Sequence, residues 1–203
     1  PWVLMVDADE RWDKTLYQEM MRAIRDDHNK DITVFHFTRK DIFMGRWLEH
    51  SIASSTWAGR LVKVGEVSVR REINEEYRTA GKKGYLKGRF MHYPFNKGIA
   101  FWLERHNRYS SMEAQALVME TVAKLRLRGL FSFDPVARRK SMKQLAYRAP
   151  FRPFLVFCYL YLARLGFLDG IPGLTYCRLR AMYEYMIDLK VKEIRMREKG
   201  LQI

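Results

Sequence analysis

A chain of 203 residues with a formal net charge of +14 and a pI near 9.9 can bury one good core, with a helical appendage at most, and implies an anionic partner: nucleic acid, a phosphorylated substrate or an anionic membrane. Its two cysteines, Cys158 and Cys177, stand in apolar or helical surroundings without metal-ligand spacing, which sets aside a cysteine-held metal and points to buried thiols in a reduced compartment. No secretory signal, internal repeat or low-complexity tract is visible, and the charge is uneven: between Val122 and Arg164 ten Lys or Arg are opposed only by Asp134.

Residues 3–6 form a short apolar run, partly β-branched and stopped by charge, which predicts a buried strand. Asp7 and Asp9 then stand just past its carboxyl end. Ligands of open α/β sheets bind at that edge, and two oxygen donors there suit a hard divalent cation carrying phosphate oxygens. Because the sequence starts at Pro1 already inside a strand, an N-terminal part of a larger domain is expected to be missing. Asp13-Lys14-Thr15 opens a helix to about residue 27, with Leu16, Met20 and Ile24 on one face. Residues 32–37 predict a second strand in which His36 is structural. Strand, helix, strand indicates an α/β layer.

Residues 39–50 mix aromatic and charged side chains without a period, which predicts an irregular surface segment of the kind that often carries function. Residues 60–64 and 67–69 predict a hairpin turning at Gly65-Glu66. A glycine-punctuated loop follows at Gly81, Gly84 and Gly88, and residues 89–94 predict a last short strand ended by Pro94. From Gly98 the pattern turns helical: Trp102, Tyr109, Met112, Ala116 and Met119 make a seam, and Gly129 ends that helix. Residues 134–149 are basic and include Arg138-Arg139-Lys140. The run 154–163 between Arg152 and Arg164 is too short to span a bilayer. It is either a buried helix or an interfacial helix at a membrane surface, and its aromatic content and basic neighbours favour the membrane surface. A turn at 167–174 leads to a final helix with Leu179, Met182, Met186 and Leu189 on one face. These patterns divide the chain at about residue 97.

Several stretches together resemble one known group. Val6-Asp7-Ala8-Asp9-Glu10-Arg11, Phe43-Met44-Gly45-Arg46-Trp47, Gly59-Arg60-Leu61, Ile73-Asn74-Glu75, His92-Tyr93, Asn107-Arg108-Tyr109-Ser110 and Gly166-Phe167-Leu168-Asp169-Gly170 with Gly173-Leu174 occur in the order found in bacterial family 2 glycosyltransferases, most like the lipopolysaccharide core glucosyltransferase branch. The resemblance spans nearly the whole chain. It implies a partial GT-A (nucleotide-diphospho-sugar transferase) α/β sheet domain, lacking its nucleotide-binding first part, followed by a helical, membrane-surface region. Relatives often carry His-Glu where this chain has Asn74-Glu75, so only the carboxylate of that pair is retained.

The activity so implied is inverting transfer of a sugar from a nucleotide-sugar donor, a UDP-sugar foremost, to a glycolipid, lipopolysaccharide core or other cell-surface polysaccharide. Mn²⁺ or Mg²⁺ held by Asp9, with Asp7 reaching the ribose or the metal through water, would stabilise the leaving diphosphate. Arg46 or Arg60 would add a guanidinium to the phosphates, and His92 would meet metal, diphosphate or acceptor. Glu75 is the candidate general base and Glu76 its fallback. The expected place of work is the cytoplasmic face of the bacterial inner membrane, peripherally attached to its anionic surface. Nucleic acid is not an expected partner. Two alternatives stand beside this reading: a basic nucleic-acid- or membrane-binding module without catalysis, and an inactive transferase fragment.

Overall fold

The strand that begins at Ile32 does not stop at Phe37; it runs on unbroken to Phe43 and becomes the middle of a sheet. The computed structural model describes residues 1–52, 57–70, 76–122, 149 and 151–202, with the side chains at 69–70, 76–78 and 120–122 outside that description. It divides into two units, Pro1–Asn96 and Lys97–Ile203.

The first unit is mixed α/β. Its elements are β1 (Trp2–Leu4), β2 (Glu10–Arg11), α1 (Lys14–Arg25), β3 (Ile32–Phe43), β4 (Arg46–Trp47), β5 (Ala58–Lys63), β6 (Val67–Arg70), β7 (Glu76–Thr79) and β8 (Lys82–His92). The curled sheet has the order β1-β5-β3-β8-β2, with β4 added to β3, while β6 and β7 form a ribbon of their own. β3 and β8 are parallel, and every other neighbouring pair is antiparallel. Asp13 starts α1 by accepting a hydrogen bond from the Leu16 N–H at 2.8 Å, a side-chain cap that satisfies one of the first-turn donors. Leu16, Met20 and Ala23 then bury against Phe35, Phe37, Leu61 and Phe90 of the sheet, with Ile24 packed at the margin. Trp12 closes this core, stacked on Phe90 at 4.9 Å and edge-on to Phe37 at 5.0 Å.

The glycines at 84 and 88 mark no loop; both lie inside β8. A Cβ on Gly84 would come within 2.5 Å of the Phe35 ring, and one on Gly88 within 2.3 Å of Leu16 Cδ1. They are close-approach glycines of a central strand. The hairpin expected across Gly65-Glu66 is also absent. β5 is held on one edge by β1 and on the other by β3, so β6 finds no free edge there and pairs with β7. Residues 39–50 are more ordered than their composition suggests. Met44 and Gly45, with φ of 49° and 74°, turn β3 tightly into β4, the two positive φ values being what a type I′ hairpin loop requires. Residues 3–6 are not a buried strand, because β1 is an edge strand and Val3 and Val6 stand exposed.

His36 is half-buried on β3 with its ring stacked on Tyr85 at 5.2 Å. Burial pushes its pKa below the ordinary 6.5, against smaller upward pulls from backbone hydrogen bonds. The unfolded chain therefore takes up this proton first. The stability that neutral His36 contributes is fully present above about pH 6.5 and is lost as the pH falls through the folded value. Thermal melts between about pH 7.5 and 5 are expected to show a falling midpoint, and His36→Phe a shallower fall; equal slopes would place the acid sensitivity elsewhere.

The second unit is helical: α2 (Gly98–Val122), α3 (Arg152–Cys158) continuing as a π-helical turn over Tyr159–Ala163, a 3₁₀ turn at Gly166–Asp169, and α4 (Gly170–Glu198). Among the described side chains α2 buries Trp102, Ser110 and Ala114, and those α4 buries include Cys177, Tyr183 and Ile187. His106 lies between Trp102, at 3.6 Å, and Tyr183, at 5.1 Å. Lys190 of α4 donates to the Ser110 and Ser111 hydroxyls, both at 2.8 Å. The expected apolar seam of α2 is thus wrong beyond Trp102: Tyr109, Met112, Ala116 and Met119 face outward. Small side chains at 110 and 114 let α4 approach, and the larger ones lie on the other side. The final helix begins at Gly170 instead of after residue 174, and Met182 and Leu189 are exposed, so its expected face is wrong as well. Burial of Cys177 pushes its thiol up to about 11, and both cysteines are free. Gly129 and the basic run at 138–140 lie outside the described residues.

Candidate active site

β1 and β2 occupy the two edges of the sheet, so residues 5–9 between them must carry the chain across its end. Strand directions fix which end: β1, β3 and β8 all finish there, and β5 starts there. The crossing is pinned at three points. Met5 N–H donates to Arg60 O at 2.8 Å, Glu10 N–H to Asp7 O at 3.0 Å, and Tyr93 N–H to Asp9 O at 2.8 Å. Asp7 and Asp9 therefore project from a tied loop over the carboxyl ends of three strands, where ligands of such sheets bind.

Two charged clusters converge on that loop. In the first, Arg60 on β5 reaches Asp7 Oδ2 at 2.6 Å and also pairs with Glu10 Oε1. The Asp7 N–H donates to the other Glu10 oxygen at 3.3 Å. Glu10 is buried, and that burial raises its carboxyl above the ordinary value despite the opposing charge of Arg60. Burial disfavours the Arg60 cation too, but the charges of Glu10 and Asp7 and the hydrogen bonds to them outweigh it and raise its pKa. The guanidinium also lies over the Phe90 ring, 5.8 Å from the centroid.

In the second cluster, His92 ends β8 directly opposite Asp41 of β3. Its Nδ1 is 2.6 Å from Asp41 Oδ1. A carboxylate only accepts, so Nδ1 donates to Asp41, which leaves Nε2 as the nitrogen that faces Asp9 Oδ2, 3.4 Å away. Asp41 is fully buried and is held on its second oxygen by Arg39 Nε at 3.1 Å. A carboxylate orienting an imidazole whose other nitrogen faces a second carboxylate is an arrangement used to present ligands to metal ions.

Among the described residues no group of three or more His, Cys, Asp or Glu side chains converges as around a metal ion. A diphosphate-linked Mg²⁺ or Mn²⁺ does not need one, since such ions are commonly held by one or two carboxylates, with substrate phosphates and water completing the shell. Two donors each about 2.1 Å from one ion stand roughly 3.0–3.4 Å apart, and the Asp9–His92 separation suits that. The donor set is compatible with such an ion, and Asp9 and His92 are the side chains that would ligate it, with the more exposed Asp7 beside them.

Asp7, Asp9, Arg60 and His92 are thus gathered at one sheet end. Arg60 is engaged by carboxylates, and Arg46 lies exposed on β4 opposite Phe43. Glu75 lies outside the described residues, and Glu76 is placed by its backbone only, pairing with Arg70 at the start of β7. Sequence reasoning missed Asp41 and the burial of Glu10. The signal for Asp41 was available: counting by two from Phe35 and Phe37 reaches 41 and then Phe43, so an acid falls on the buried face of a strand. No family model matches the chain, and no curated protein or solved structure matches it.

Proposed function

We propose that the protein is an inverting glycosyltransferase of GT-A type, moving a sugar from a nucleotide-sugar donor, a UDP-sugar foremost, to a glycolipid or saccharide acceptor of the bacterial cell surface. The observation that carries the reading is the meeting of Asp7, Asp9, Asp41, Arg60 and His92 at the carboxyl ends of β1, β3 and β8. The resemblance of Asp7-Ala8-Asp9 and the ordered downstream motifs to family 2 enzymes points the same way.

A divalent cation bound there supplies Lewis-acid stabilisation of the departing diphosphate. The chain's own residues prepare the place. Arg60 clamps Asp7 to Glu10 and fixes the turn between them, so Asp9 is presented without a conformational search. Asp41 holds His92 in one tautomer and one orientation. Glu75, or Glu76 beside it, is assigned as the base that takes the acceptor's proton as the sugar is attacked from the face opposite the leaving group.

The test is transfer, or donor hydrolysis, by the full-length gene product supplied with a panel of nucleotide sugars and Mn²⁺ or Mg²⁺. We expect turnover with at least one donor, a loss of about 100-fold or more when the metal is chelated, and recovery when it is restored. No turnover and no nucleoside-diphosphate binding across the panel would remove the reading. Salt-sensitive RNA binding in its place would favour a nucleic-acid module.

A further inference from the structure

We propose that the corner made by α3, the π-helical turn and the start of α4 enters one leaflet of an anionic bilayer and holds the protein there as a monotopic membrane protein. This inference does not rest on the transferase reading and is tested without an activity assay.

The corner is apolar on its outside. Phe151, Phe154, Leu162 and Ile171 are 81%, 64%, 57% and 74% exposed, and Phe167 and Leu168 stand out between them. From residue 151 to 177 the sequence holds only three charged residues, Arg152, Arg164 and Asp169. Two are turned inward: Arg152 is 4% exposed and paired to Glu184 at 2.8 Å, and Asp169 is 2% exposed. Large apolar side chains exposed together in this way are a mark of a protein or membrane contact.

Length and shape decide between crossing and dipping. Among the described residues no single helix is long and apolar enough to cross a membrane. The segment Arg152–Ala163 extends about 18 Å at 1.5 Å per residue, well short of the roughly 30 Å hydrocarbon core. At its end the chain bends by 75° into the segment Gly166–Glu198. The bend is built in: Leu165 has φ of 60°, and a Cβ on Gly173 would come within 2.4 Å of the Gly166 carbonyl oxygen, so the two backbones touch. A chain that enters to that depth and then bends by 75°, out of line with its entry, reaches one leaflet only.

Several backbone N–H groups at the bend are already satisfied from within. Arg164 N–H donates to Tyr159 O at 2.9 Å, Leu165 N–H to Leu162 O at 3.1 Å, and Leu168 N–H to Leu165 O at 2.9 Å. Irregular backbone exposed to hydrocarbon requires this, whereas backbone exposed to water does not. Charge selects the lipid. In sequence, the stretch leading into Phe151 runs from Lys124 to Arg148 with Asp134 as its sole acid, and basic residues beside an inserted apolar segment favour anionic headgroups.

The experiment is flotation of the full chain with vesicles of phosphatidylethanolamine and phosphatidylglycerol, with phosphatidylcholine vesicles as comparison. The wild type is expected to float with the anionic vesicles and to stay bound through a wash of about 0.5 M NaCl, which screens surface charge to a few ångströms. Phe154→Glu/Leu162→Glu/Ile171→Glu is expected to keep its helical circular dichroism and lose at least about tenfold in bound fraction. A fluorophore on Ile171→Cys, in a Cys158→Ala background, is expected to be quenched by lipids brominated in the acyl chain. Stripping of the wild type by salt, unchanged binding of the triple variant, an unquenched label, or a dimer in solution that ignores vesicles would each overturn the proposal.

Discussion

Arg60→Met is expected to be among the most destabilising single changes in the first unit, lowering its thermal midpoint by more than about 10 °C. The reason is what the arginine leaves behind. Glu10 is buried, with Arg60 and the Asp7 N–H holding its two oxygens. Methionine fills the volume and keeps contact with Phe90 but strands the carboxylate, and breaking one side of a buried pair typically costs about 3–5 kcal/mol. The loss has a pH signature. Glu10 is already raised by burial against the pull of Arg60, and without that pull it rises further. The variant's stability is then fully present below the unfolded value near 4.5 and is lost as the pH rises through the folded one. Adding Glu10→Gln to Arg60→Met is expected to restore much of the midpoint, because a neutral amide is cheaper to bury than an unpaired charge. A double variant no more stable than Arg60→Met would show that Arg60 matters for packing instead.

The parts of the fold legible in the sequence were those governed by local rules. Asp13 as the cap of α1 and the Leu16–Met20 stripe follow from side-chain chemistry within one turn. Pairing was not legible, because which edge a strand uses depends on what has already taken it. Residues 60–64 and 67–69 carry hairpin turn chemistry, yet β5 is flanked by β1 and β3 and cannot accept β6. The glycines of β8 misled for a related reason: they answer to Phe35, some fifty residues away in sequence, and to Leu16, about seventy away. The seam of α2 failed because, beyond Trp102, the residues it buries are small. Ser110 and Ala114 admit α4, while Met112 and Met119 stand outside.

The candidate site was half legible. Two carboxylates past a strand end are visible in any reading of Asp7-Ala8-Asp9, and the order of later motifs singled out Arg60 and His92. What no motif contains is the reason these side chains meet. β1 and β2 lie on opposite edges, so the loop between them crosses the ends of β5, β3 and β8 and collects a residue from each. Glu10 is the clearest case. It reads as one more acid of a solvated loop and is instead the buried anchor of that crossing.

Asp41→Asn is expected to lower sugar transfer by about 10- to 100-fold and to raise the Mn²⁺ concentration needed for half-maximal rate by a similar factor, the usual scale for losing a partner behind a metal ligand. Asparagine has nearly the shape of aspartate but offers an N–H as readily as a carbonyl. It no longer requires a proton on His92 Nδ1, so Nε2, 3.4 Å from Asp9, is no longer reserved as the nitrogen that could meet a metal ion. Arg39, partly exposed, turns to water when its partner loses charge. His92→Ala is expected to cost at least as much, and Asp9→Ala about three orders of magnitude, since Lewis-acid stabilisation amounts to several kcal/mol and each 1.36 kcal/mol is tenfold in rate. The order of these losses is less informative than their combination. If Asp41 acts only through His92, the double variant Asp41→Asn/His92→Ala turns over no more slowly than His92→Ala alone. Losses that multiply would mean that Asp41 reaches the reaction by another route, through Arg39 or through the end of β3 itself, and the same double variant with an unchanged melting temperature would exclude simple unfolding as the cause.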